Sequence, residues 1–194
     1  MRPIKYTDEQ IFLGLYKALT LHGFSKLSLE KIAKEANVSA AILSKRYGSK
    51  KGLILNYFNY ALKQTQLVIH ENQLKEANIE TLENFLIHWS IKKGDAAAIM
   101  SMIEIYSEGV KDDELRKISQ ERSVLIDLEV QRLLKESIDK GEIEDMDVKE
   151  TSFLLQSTAL GVAMVWLNKQ DQPLDGLVKS SIYRIVGLVK RRGE

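Results

Sequence analysis

The chain has no cysteine, which removes disulfides and thiol chemistry and would leave any zinc site to His and carboxylates. Histidine is scarce as well. His22, His70 and His88 stand far apart and none falls in a metal-binding spacing such as H-E-x-x-H, so neither a metal nor another cofactor is expected. Proline occurs only at positions 3 and 173 and strand-like alternation is rare, so little interrupts a helix. The longest apolar run, 159–167, is far shorter than the ~20 residues of a bilayer span. The opening MRPIKYTDEQ lacks the apolar core of a secretory signal. A cytoplasmic protein without membrane partners is expected. No Ser/His/Asp set, phosphate-cradling glycine loop or close pair of carboxylates stands out, which argues against an enzyme.

What is present is a globular composition with a hidden asymmetry. The net charge of the 194 residues is only +1, which taken whole speaks against a nucleic-acid partner. Residues 1–56, however, hold ten Lys/Arg against four acids, a net +6, whereas 57–194 hold 18 against 23, a net −5. A basic N-terminal part on an acidic body attracts phosphate locally.

Apolar residues recur at helical spacing almost throughout, so the expected fold is all-α with about nine helices. Thr7 and Gln10 form a capping-box pattern for a first helix whose inner face is Ile11, Leu15, Ala18 and Leu19 and which Gly23 ends. Ser28, Ser39 and Ser49 cap the next three, and Leu53, Tyr57, Ala61 and Val68 keep one face of the long fourth. Asn78 caps a fifth, carrying Leu82, Phe85, Leu86 and Trp89 and closed by Gly94, and a short sixth spans 95–106. Asp112 begins a seventh with Leu115, Ile118, Leu125 and Leu128 inward. Asp147 and Glu150 open an eighth that is apolar nearly all round, and Pro173 starts a ninth with the series Val178, Ile182, Ile185 and Val189.

The window 25–55 carries most of the functional information. It predicts a short helix, a tight turn, a second short helix and the basic start of a third, the order of a helix-turn-helix reader. Ala33 and Ala36 are small enough for a helix crossing, and Asn37 suits a left-handed turn. Ile32, Val38, Leu43 and Tyr47 point back to the first helix, which leaves Ser39, Ala40, Ala41, Ser44, Lys45 and Arg46 facing outward. Small side chains there allow close approach to base edges, and the cations can meet phosphate or guanine.

Gly23-Phe24, Ser28-Leu29-x-x-Ile32-Ala33, Ala36-Asn37-Val38-Ser39, Leu43, Tyr47-Gly48-Ser49-Lys50 and Leu53 resemble the N-terminal pattern of TetR-type transcriptional regulators, over roughly residues 7–57. The resemblance implies a helix-turn-helix DNA-binding domain, 1–56, and a helical ligand-binding and dimerisation domain, 57–194. It implies a homodimeric repressor that a small molecule releases from its operator. By the same resemblance Ser28 holds a phosphate, Ser39 opens the recognition helix, and Lys50 is the cation beside the backbone. The chain departs from the pattern at 41–44, where Ala-Ile-Leu-Ser replaces the frequent Gly-Thr-Leu-Tyr. Two common DNA contacts are thereby lost, and phosphate contact falls to Lys45 and Arg46.

Beyond the window, Tyr57, Gln64, His88, Trp89, Met100, Tyr106, Gln156 and Trp166 mix apolar walls with polar groups and are the candidates for lining an effector pocket. The helices at 150–168 and 174–191 carry more apolar surface than one body covers, and Ala159, Gly161 and Ala163 allow close approach. Paired across a two-fold axis they make a four-helix dimer interface, which sets two recognition helices about 34 Å apart on a palindrome. The alternative is a helical protein-interaction module whose helix-turn-helix is not used on DNA.

Overall fold

The computed structural model describes residues 6–91 and 96–190. Among these the chain is all-helical, with nine α-helices, one short 3-10 turn and no strand. In order they are α1 (Asp8–His22), the 3-10 turn (Phe24–Lys26), α2 (Leu29–Glu35), α3 (Ala40–Tyr47), α4 (Lys50–Gln73), α5 (Ile79–Ile91), α6 (Ala96–Lys111), α7 (Asp113–Asp139), α8 (Val148–Trp166) and α9 (Leu174–Lys190). No helix among the described residues is long and apolar enough to cross a membrane. The chain divides into two compact units, Met1–Lys63 with Asp95–Glu121 and Gln64–Gly94 with Arg122–Glu194.

In the first unit α1 packs on α2, α2 on α3, and α6 on α1. Its core is Ile11, Leu15, Leu19, Leu27, Ile32, Leu43 and Leu53. Thr7 caps α1 by accepting from the Gln10 amide at 3.2 Å. The reciprocal half of the capping box is not formed. Gln10 Nε2 instead donates to the Ala36 carbonyl at 2.8 Å, satisfying an acceptor at the end of α2 that the helix leaves open. Ala33 and Ala36 are buried as expected, but Ala36 lies against α1, where a Cβ on Gly14 would come within 2.5 Å of its own Cβ. Ser101 Oγ bonds Thr20 Oγ1 at 3.1 Å and Glu104 Oε2 accepts the Phe24 amide at 2.8 Å, both from α6.

In the second unit α5 packs against α8 and α9, and these against each other. Asn78 caps α5 through the Thr81 amide at 2.8 Å, and Asp147 caps α8 through the Lys149 and Glu150 amides. Glu129, almost wholly buried, accepts from Arg132 at 2.8 and 2.9 Å, and Arg132 also reaches Glu136. Burial without this guanidinium would strand a charge.

Several expected faces are displaced. On α7 Leu115 is buried and Ile118 and Leu125 are half-buried, but Leu128 is 56% exposed while Ile126, Val130, Leu133 and Leu134 fill the core. Leu128 follows Leu115 by about three and a half turns, so it emerges on the opposite side. On α4 Leu53 is buried, yet Tyr57, Ala61 and Val68 are half-buried, and Ile54, Phe58 and Leu62 lie deeper. The sixth helix runs on past Tyr106 to Lys111. Gly94, Asp95 and the side chain of Val189 lie outside the described residues. Of the small residues assigned to a dimer contact, Ala159 and Ala163 are buried inside the second unit, and only Gly161 faces outward.

Candidate nucleic-acid interface

The reading surface is built from local caps. Ser28, in extended backbone, accepts the Lys31 amide at 3.4 Å and opens α2. Asn37 then adopts φ +54°, a left-handed turn between α2 and α3. Ser39 accepts the Ile42 amide at 3.3 Å and opens α3, and Ser49 accepts the Gly52 amide at 3.1 Å at the start of α4. Asn37→Ala is expected to lower stability by about 1–2 kcal/mol, because a Cβ without a local polar partner is disfavoured there. Asn37→Gly should cost nothing comparable. Urea unfolding of both variants checks the pair.

Leu43 and Tyr47 bury one side of α3, which turns the other outward. Ser39, Ala41, Ser44, Lys45 and Arg46 are exposed there, and Ala40 is half-buried against the core. Lys45 enters no ion pair among the described residues, whereas Arg46 pairs with Asp8 at 2.7 Å and donates to the Tyr6 carbonyl at 3.0 Å. The Tyr47 hydroxyl donates to Asp8 at 2.5 Å. Burial first, and the Asp8 carboxylate second, push that hydroxyl well above the usual phenol range, so it stays a donor. Lys50 is half-buried with its ammonium 5.0 Å from the Phe24 ring centroid. Lys51 is held by Asp112 at 2.8 Å and Glu114 at 3.1 Å. Lys31 turns back to the Lys26 carbonyl at 2.7 Å.

Sequence reasoning passed over Asp8, Gly14 and Glu104. An acid in a first turn is explained by the helix dipole alone, and nothing local links Asp8 to a helix end almost forty residues on.

The eight effector candidates are scattered. In the first unit Tyr57 is half-buried, 5.6 Å from Phe12 edge to face, while Met100 and Tyr106 are exposed on α6. In the second unit His88 is exposed, and Gln64 and Trp89 are half-buried. There Gln156 donates to Asp127 at 2.9 Å, and the Trp166 indole donates to the Gln172 carbonyl at 2.7 Å. Two open clefts in the first unit, of about 310 and 540 Å³, are walled by Phe24, Lys50, Glu108 and Lys111 and contain none of the eight.

Residues 16–57, the end of α1 through the first turns of α4, match the family model of bacterial regulatory proteins of the tetR family. The head is a TetR-family head. The TetR likeness extends to the whole fold. A TetR transcription regulator from Haloarcula marismortui superposes with TM-score 0.78 at 18% identity, covering 94% of this chain and 97% of that one. FadR from Bacillus subtilis, solved with stearoyl-CoA, gives 0.73 at 21% identity, with 93% and 98% covered. A Saccharomonospora viridis protein in complex with choline gives 0.78 at 14%, with 93% and 95% covered. At these identities the likeness establishes the fold. No curated protein matches the chain by sequence. Residues 16–57 thus match the tetR-family model, and the chain as a whole has the fold of the TetR-type proteins compared with it.

Proposed function

We propose that the chain is a homodimeric repressor that binds a palindromic operator through α3 of each copy and leaves it when a small molecule binds. The observation that carries the reading is the outward side of α3, a short helix backed by buried Leu43 and Tyr47 that presents Ser39, Ala41, Ser44 and Lys45. Small groups let the backbone approach base edges, and Lys45 adds charge at the rim. Ser28, Ser39 and Lys50 serve as anchors beside the phosphates, with Ala40 and Arg46 flanking the reading face. Residues 1–56 act as the DNA-binding domain and 57–194 as the regulatory one, in the cytoplasm. Effector release is supported by the relatives solved with stearoyl-CoA and with choline. Within the second unit Gln64, Trp89, Gln156 and Trp166 are proposed effector contacts, two aromatic walls with two amides.

Selection from a random duplex pool tests the reading. The expected product is a palindrome with half-sites about one helical turn apart. Enrichment of no sequence overturns it in favour of a protein-interaction module. On the selected duplex, Lys45→Ala should weaken binding and flatten the salt dependence by roughly one ion. Unchanged affinity and slope would take Lys45 off the contact surface.

A further inference from the structure

The last turn of α3 is locked to the first turn of α1 by a single carboxylate. Asp8 Oδ1 accepts from both residues that end the recognition helix, Arg46 Nη2 at 2.7 Å and Tyr47 Oη at 2.5 Å. Arg46 Nη1 donates to the Tyr6 carbonyl at 3.0 Å, and its Cζ lies 5.6 Å from the Tyr47 ring centroid. The side chains of Arg46 and Asp8 are 32% and 49% exposed, so the pair lies at the surface beside the proposed reading face. A helix-dipole acid needs no specific partner. Asp8 has two, both on the recognition helix.

We propose that Asp8 is a specificity-determining residue that acts as an internal substitute for phosphate, occupying Arg46 and withholding its charge from the DNA backbone. The inference rests on the operator-binding reading of α3. Guanidinium binds carboxylate and phosphate with the same fork of donors, so one anion displaces the other. A phosphate approaching Arg46 also meets the negative charge of Asp8, which repels it. Phosphate contacts strengthen binding to every sequence alike, whereas base contacts separate one sequence from another. With Arg46 occupied, a larger share of affinity falls to Ser39, Ala41, Ser44 and Lys45, and discrimination rises.

The test compares Asp8→Asn, Arg46→Ala and the double variant with the unsubstituted full-length protein. Affinity is measured against the duplex that the unsubstituted protein enriches from a random pool and against a scrambled duplex of equal composition. Both are titrated with salt, and thermal unfolding is recorded alongside. Asn keeps the size of Asp8 and an acceptor for Tyr47 while removing the charge. Asp8→Asn is expected to bind both duplexes more tightly, to lose discrimination between them, and to steepen the salt slope by about one ion. The gain then shrinks about three- to fourfold between roughly 50 and 200 mM salt. Arg46→Ala should leave the slope unchanged, and the double variant should return to it. A lower melting temperature with an unchanged slope in Asp8→Asn makes Asp8 merely structural and overturns the inference. So does a slope flattened by about one in Arg46→Ala, since Arg46 then already meets a phosphate. If the unsubstituted protein enriches no sequence, the operator reading fails and takes this inference with it. Enrichment with an unmoved Asp8→Asn slope sinks this inference alone.

Discussion

Phe153→Asp combined with Val165→Asp is expected to split the proposed dimer into monomers and to weaken operator binding by about 10²- to 10⁴-fold. Phe153 is 74% exposed and Val165 65%, and Leu154, Leu160 and Met164 lie on the same outer surface of α8. Leu160 and Met164 follow Phe153 by seven and eleven residues, with Leu154 and Val165 beside them, which keeps the five on one side of the helix, opposite Leu155, Ala159 and Ala163, which are buried within the second unit. Burying one such large apolar side chain in a partner contributes about 1.5–3 kcal/mol, so five of them would support the proposed interface and two carboxylates among them would oppose it. The affinity loss follows from linkage rather than from any change in the head. Each half-site is bound separately once the two heads are no longer joined. Because the substituted positions face away from the core, circular dichroism should be unchanged while sedimentation reports half the mass. A variant that still sediments as a dimer would move the interface away from this face of α8.

Gly14→Ala is expected to have the largest effect on stability, a loss of about 3 kcal/mol, at the upper end for an overpacked core. The added Cβ would lie 2.5 Å from the Ala36 Cβ and 2.6 Å from the Ala36 Cα and N. Two of those three atoms are backbone, so no rotamer change relieves the contact, and α1 and α2 must separate. The gain in helix propensity, about 1 kcal/mol, offsets only part of this. A loss of that size is a substantial share of a typical domain's 5–15 kcal/mol. Urea unfolding measures it, and Ala36→Gly in the same chain should restore only a fraction, since the backbone contacts persist. Unfolding at the unsubstituted midpoint would mean that the helices can part at no cost.

The features that sequence reading captured were decided within a few residues. The left-handed Asn37, the caps at Ser28, Ser39, Ser49 and Asn78, and the buried row Ile11, Leu15, Ala18 and Leu19 each follow from chemistry local to one turn. Leu128 was misread because a small error in period accumulates along a 27-residue helix. The sequence reading stopped the sixth helix at Tyr106, whereas α6 runs on through Gly109, where an added Cβ would lie 2.8 Å from the Phe58 ring, a contact to a residue about fifty positions away that no local pattern encodes. The bonds from Asp8 to Arg46 and from Glu104 to Phe24 join residues far apart in the chain. No periodicity encodes such pairs. Gln10 shows the limit most clearly, since the local motif named its side chain as an acceptor for the Thr7 amide and the fold uses its Nε2 as a donor to the distant Ala36 carbonyl.

The hold of α6 on the head bears on transplantation. Glu104 takes up the Phe24 amide, Ser101 meets Thr20, and Ile105 packs on the core of the three N-terminal helices. A chimera that grafts residues 1–63 onto a foreign body leaves that amide without its acceptor and the seat of Ile105 in water. A portable version of this reader therefore consists of two pieces of chain, with 96–111 carried along or its side chains rebuilt on the new host.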